Sequence, residues 1–189
     1  CARAGADVMI KSTYSHPKRL VGQRNRSDYH LLRHNSCPVL LTKIAQPFCY
    51  QRVLAAIAIE DGDNRHDELN NLVISHARRI CRMTGGELHI VAALEGSPDI
   101  AILLDIPIDE DDEKLTPEQM IKIRFGIEPA KIHLEYGPAK QVIVETVKQT
   151  DAQLLVMGTV ARAGISGAVL GNTCEKVLDR LSIDILTVN

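Results

Sequence analysis

The chain has 189 residues, of which 45% are apolar and 24% charged, with a formal net charge of −2 at pH 7. That length accommodates one domain and part of another, and the balanced charge offers neither nucleic acid nor an anionic membrane a basic surface. Four Tyr, two Phe and no Trp leave little for stacking bases. No apolar run reaches the ~18–20 residues that span a bilayer, and the N-terminus lacks a secretory-signal pattern, so the cytoplasm is the expected compartment.

In chain order, the first apolar segments are Ala6–Ile10 and Val39–Thr42, read as two strands. Between them His30 and His34 share a helix face, but no His-Glu-x-x-His pattern accompanies them and a solvated face is expected. Residues 45–50 read as a linker. Val53–Ile59 is then a continuous apolar strand, closed by the turn-rich Glu60–Asn64. Leu69, Leu72, Val73, Ala77, Ile80, Cys81 and Thr84 mark one face of a helix that Gly85-Gly86 stops, and Leu88–Leu94 is the second strand. Strand, helix, strand with a connector of this length is a parallel βαβ unit.

The acidic run Asp109–Glu113 reads as a solvated linker, with weak divalent binding as the alternative. A short helix is expected over Pro117–Arg124, a third strand over Ile132–Tyr136, and a helix opened by Pro138 with Val142, Ile143, Thr146 and Val147 inward. Leu154–Met157 is the fourth strand. Cys174, Val177, Leu178 and Leu181 mark a helix, and Ile183–Val188 the last strand. His89 and His133 fall on strands expected to be neighbours, where partnered or exposed histidines are the simplest reading. Alternating elements with continuous apolar strands specify an α/β domain over 51–189 with a parallel sheet and helices on both faces; the expected arrangement is an open five-stranded sheet ordered 3-2-1-4-5. The five cysteines, Cys1, Cys37, Cys49, Cys81 and Cys174, are odd in number and widely spaced, so reduced thiols are expected rather than a disulfide framework or zinc site.

Residues 1–44 repeat this pattern. A shift of 146 residues lays Ala6–Ile10 on Ala152–Val156, Thr13 on Thr159, Leu32 on Leu178, and Val39-Leu40 on Ile185-Leu186, without a gap. Residues 1–44 are therefore read as the C-terminal part of a diverged first repeat, which would begin about ninety residues before Cys1. Its two strands are expected to form a second sheet. Its last strand should pair with the last strand of 51–189, because both are unprotected apolar edges.

The stretch from Gly158 to Thr173 is the candidate ligand site. Gly158, Gly164, Gly167 and Gly171 follow a strand and lead into a helix, and glycine lets backbone N–H groups approach a ligand closely. The helix start at Gly171-Asn172-Thr173 is a natural phosphate seat, to which Arg162 adds charge and Thr159 a hydroxyl. Asn172 with Glu175 also reads as a variant capping box. In a sheet ordered 3-2-1-4-5, the loops after strands one and four face each other across the switch point, where ligands sit. No nucleophile–base pair or carboxylate cluster on regular elements is visible, so no catalytic residue, metal ligand or enzyme activity is expected.

The segment from Asp151 to Asn189, with its Gly-Thr-Val-x-Arg-x-Gly-Ile-Ser and Leu-Gly-Asn-Thr phrases, resembles the universal stress protein family, and the resemblance covers 51–189. The paired repeats resemble its tandem, E-type members. Family members that bind ATP carry Gly, two residues, Gly, nine residues, then Gly and a hydroxyl residue, with an Asp after the first strand. Here Gly158 and Gly171 match. Ala161 and Asn172 depart, and Ala58 stands near the Asp. In the first repeat Ser12, Ser15 and Asn25 replace the glycines. The resemblance implies a cytosolic, non-enzymatic stress-response protein with a degenerate nucleotide-like pocket. Its unidentified ligand would carry a phosphate or sugar, with ATP disfavoured. Internal pairing of the repeats or a homodimer is implied, without nucleic-acid or membrane partners. The alternatives are an ATP-binding switch with weak ATPase activity and an interaction scaffold whose pocket is vestigial.

Overall fold

The computed structural model describes residues 7–13, 28, 31–32, 37–43, 49–59, 64–94, 116–159, 174 and 177–189. Strand β1 is Met9–Ser12, β2 Val39–Thr42, β3 Arg52–Ala56, β4 Glu87–Leu94, β5 Ile132–Tyr136, β6 Leu154–Gly158 and β7 Asp184–Val188. Helix α1 is Asn64–Thr84, α2 Pro117–Phe125 and α3 Ala139–Thr150. All seven strands form one sheet, ordered β1-β2-β7-β6-β3-β4-β5.

From β3 to β7 every pairing is parallel, and the order within 51–189 is the expected 3-2-1-4-5. The sheet is not five-stranded, however, and β1 and β2 do not form a second sheet. β2 lies antiparallel on β7, so what would be two sheets is one. The reason is physical: two apolar edges, each with unpaired backbone groups, are both satisfied by pairing with each other.

The register of the added strands is informative. Met9 pairs with Val39 in β1·β2, and Leu155 with Ile185 in β6·β7, the same offset at positions related by the 146-residue shift. Thr13 N–H donates to Thr42 O at 2.9 Å, and Thr159 N–H to Val188 O at 2.9 Å, again equivalent positions. Across β2·β7, Leu40 stands opposite Leu186, its own counterpart, with Val39 opposite Thr187 and Leu41 opposite Ile185. A local two-fold axis therefore passes through that pair, as in an isologous contact.

The core has two layers. On one face Leu54, Val91, Leu155 and Ile185 share a cluster with Val142, Ile143 and Val147 of α3 and with Val177, Leu178 and Leu181. Val53, Ala55, Ile90 and Val156 meet Val73, Ile74 and Ala77 of α1 and Ile121 and Phe125 of α2 on the other. The buried stripe of α1 differs from the expected one. Leu72 is 44% exposed, while Asn70, Val73, Ile74 and Ala77 are buried, so the helix is turned towards Asn70. Helix α2 extends to Phe125, held by a Thr116–Gln119 capping box and a left-handed Gly126 at its C-cap.

The expectation of reduced thiols is corrected at Cys37, which is disulfide-bonded, while Cys49, Cys81 and Cys174 are in no disulfide. Spacing alone could not show this, because a disulfide depends on the approach of Cα atoms and not on sequence distance.

Candidate functional site

The carboxyl ends of β3 and β6 lie side by side, with Ala56 paired to Met157. Continuing that register puts Ala58 level with Thr159 at the switch point. Two consecutive residues of α1 reach these strand ends. The Asn70 side chain accepts from Ala58 N–H at 3.1 Å and donates to Ala58 O at 2.7 Å, satisfying both backbone groups. Leu69 lies over Gly158 so closely that an added Cβ would stand 2.4 Å from Leu69 Cδ2. At Gly158 the close packing of helix on strand thus favours glycine.

Thr159 is buried. Its N–H and hydroxyl both donate to Val188 O, and the hydroxyl also contacts Asn189 Oδ1. Of the candidate site residues, Ala58, Gly158 and Thr159 come together at the switch point. Arg162, Gly164, Gly167, Gly171, Asn172 and Thr173 lie outside the described residues, as do Ala161, the acidic run at 109–113, His30, His34 and the capping pair Asn172–Glu175. Asn70 was missed from sequence. The signal was a polar residue on the buried stripe of an amphipathic helix, in phase with Val73 and Ala77.

A groove of about 760 Å³ lies elsewhere, between α1, the start of β4 and the turn after α2. Its cations are mostly engaged within the fold: Arg78 donates to Phe125 O, Arg124 pairs with Asp67, and Lys131 with Glu87 and Glu128. That pairing leaves little charge for an anionic ligand.

His89 and His133 do meet. His89 Nδ1 and His133 Nε2 are 3.1 Å apart, the ring centroids 5.4 Å apart and the planes 19° from parallel. The centroid separation equals the hydrogen bond plus the two ring radii, so the rings lie edge to edge and share one N–H···N bond. Two imidazoles bound to one metal would instead converge at an angle. Burial pushes both rings below the usual histidine pKa; for His89 the neighbouring His133 adds to this, and Glu87 and Glu135 oppose it at His89 and His133 respectively. Among the described residues no group of three or more His, Cys, Asp or Glu side chains could hold a metal, and no helix is long and apolar enough to cross a membrane.

A model of the family described as Universal stress protein family matches residues 50–189. Among curated proteins, the chain is 28% identical over 191 residues to Universal stress protein E homolog of Haemophilus influenzae, covering 96% of this chain and 62% of that protein. It is 29% identical over 194 residues to Universal stress protein E of Escherichia coli K12, covering 97% and 61%. The chain thus spans about three fifths of the length of these relatives. Among solved structures, a functionally unknown protein of Pseudomonas aeruginosa PAO1 superposes with a TM-score of 0.79 at 32% identity, over 98% of this chain and 64% of that one. These relatives carry names without an enzyme activity.

Proposed function

We propose that this chain, which belongs to the universal stress protein family, is a cytosolic, non-enzymatic stress-response protein with a degenerate nucleotide-like pocket at the switch point of 51–189. The observation that carries this reading is the Asn70–Ala58 pairing. Where the family's ATP binders place a carboxylate, this chain has an alanine whose backbone polar groups are both consumed by its own helix. A nucleoside would have to displace a part-buried two-point hydrogen bond to use them, and a group left unpaired away from water costs about 1–3 kcal/mol. The close packing of Leu69 on Gly158 supports the same view, since that glycine is accounted for without a ligand.

Residues 1–44 are, on this reading, the end of a diverged first repeat that pairs with the second through β2 and β7. The equal strand offsets and the Leu40–Leu186 axis support it. The pocket's ligand would be a small phosphate- or sugar-bearing molecule held from the glycine-rich side.

Calorimetry and thermal unfolding with 1 mM Mg-ATP test the reading. A ligand at a hundred times its dissociation constant adds ~2.7 kcal/mol, about 2–4 °C for a chain of this size. No such shift is expected. A clear shift with a micromolar dissociation constant favours the ATP-binding switch instead. Native mass spectrometry of protein purified without added ligand identifies what the pocket carries.

A further inference from the structure

The groove beside α1 reaches Leu88 at the start of β4 and Lys131 just before β5. It therefore lies at the amino ends of the parallel strands, whereas the switch-point pocket lies at their carboxyl ends. The two are at opposite ends of the sheet.

Four cations line the groove, Arg78, Arg82, Arg124 and Lys131, with two carboxylates, Glu87 and Glu128. Lys131 answers both carboxylates, and Arg124 answers Asp67 just outside. Arg78 donates to the neutral carbonyl of Phe125, which occupies part of its guanidinium and leaves its charge in place. Arg82 makes no hydrogen bond or ion pair among the described residues. With Asp67 counted, the surplus is one positive charge, and it resides on Arg78 and Arg82. These stand four residues apart on one side of α1, where like charges repel and an anion between them removes the cost. Ser75, on the same side, presents a hydroxyl to the groove. Apolar side chains share the space: Ile74, Leu88 and Phe125 are buried and Ile127 is half-buried.

We infer that this groove is a binding site separate from the switch-point pocket, and that it takes a small organic acid with one carboxylate and a compact apolar body. The carboxylate sits on Arg82, whose planar fork offers it two parallel N–H bonds, with Arg78 beside it. The apolar body covers Ile74, Leu88, Phe125 and Ile127, which gain burial that water does not give them. A phosphate monoester brings more negative charge than the surplus can answer, so the single carboxylate is the better match. The inference does not depend on what the switch-point pocket binds.

Calorimetry and amide NMR of the full chain with 4-phenylbutyrate test it, with 4-phenylbutanol and acetate as probes of the apolar body alone and the charge alone. 4-Phenylbutyrate is expected to saturate with a dissociation constant on the order of 100 µM, an ordinary efficiency for a ligand of that size. It should shift the amides of Ser75, Arg82 and Leu88 and leave those of Ala58 and Thr159 in place. Each partial probe should bind at least ~10-fold more weakly. Arg82 is exposed, so its replacement leaves the core intact. Arg82→Gln should weaken 4-phenylbutyrate ~10-fold or more, the loss of a charge-assisted bond, and Arg82→Lys, which keeps the charge without the fork, should fall between. Arg79→Gln removes a charge from the same helix end but outside the groove, and should leave the affinity unchanged. The site is overturned by an absence of saturable binding up to about 10 mM, by acetate binding as well as 4-phenylbutyrate, or by shifts centred on Ala58 and Thr159. It is equally overturned if Arg82→Gln binds like the unaltered chain, or if Arg79→Gln weakens binding as much, since the end of α1 would then attract anions without the groove.

Discussion

Strands β1 and β6 occupy equivalent places by sequence shift, share the same offset to their neighbours β2 and β7, and yet live in different surroundings. Val156 of β6 is 0% exposed, whereas its counterpart Ile10 of β1 is 68% exposed. The difference is not in the strands, both of which are short and apolar. β6 has β3 on its other side and α1 on its face, while β1 has only β2 among the described residues. Burial belongs to the assembly of neighbours and cannot be read off a segment by itself.

Proline substitution makes that comparison quantitative. In β1 the N–H groups of Met9 and Thr13 point to β2, so by alternation that of Ile10 points away from it. In β6 the N–H of Thr159 points to β7, so that of Val156 points to β3. Val156→Pro is expected to orphan a buried carbonyl and clash within an interior strand, costing at least ~3 kcal/mol. Ile10→Pro should cost about 1 kcal/mol or less, as on other edge strands. Urea unfolding of both variants checks this. Equal losses would mean that another strand pairs along the outer side of β1.

A smaller effect separates Gly158 from its counterpart Ser12. Gly158→Ala drives a methyl group against Leu69. It is expected to destabilise by ~1–2 kcal/mol, within the range for overpacking, and Leu69→Ala in the same chain should recover part of it. Ser12→Ala, at an exposed position, should change stability by under ~0.5 kcal/mol. A stabilised Gly158→Ala would show that the glycine is kept for the loop it opens and not for packing.

Much of the fold was legible because the strands of 51–189 are continuous apolar runs with glycine and proline at their ends. The parallel sheet followed from that pattern. Joining of β2 to β7 into the same sheet was harder to see as a single sheet, since edge pairing depends on surfaces far apart in sequence. The turn of α1 towards Asn70 was missed because an apolar count favours Leu72 over an amide, although the amide has a partner in the Ala58 backbone. At the candidate site, the glycine pattern singled out Gly158, and the packing of Leu69 over it has no signal in any local motif. No local motif signals that Lys43 N–H and Tyr50 O–H both donate to the buried Asp184 carboxylate. The disulfide at Cys37 was likewise hidden, since spacing cannot report proximity.

The smallest expected effect concerns the His89–His133 pair, which lies on the α3 side of β4 and β5. His89 Nε2 is buried and has no hydrogen-bond partner, with Glu87 Oε2 4.0 Å away. Lys131 and Arg52 disfavour a charge on His89, and Glu135 favours one on His133. With both folded pKa values lowered, the unfolded chain binds more protons than the folded one as the pH drops below the ordinary histidine value of ~6.5. The pair's contribution is therefore complete above that pH, declines as the pH falls towards the folded pKa, and levels off beneath it. The slope should not exceed ~1.4 kcal/mol per pH unit for each proton taken up. His76, also lowered by burial and by Arg79, adds to the slope with the same sign, so the test is a difference. Urea unfolding between about pH 8 and 5 should show a shallower decline for His89→Gln/His133→Gln than for the unaltered chain. Identical slopes would mean that the shared N–H···N bond has no linkage to folding, and that the rings are solvated enough to protonate as freely as in the unfolded chain.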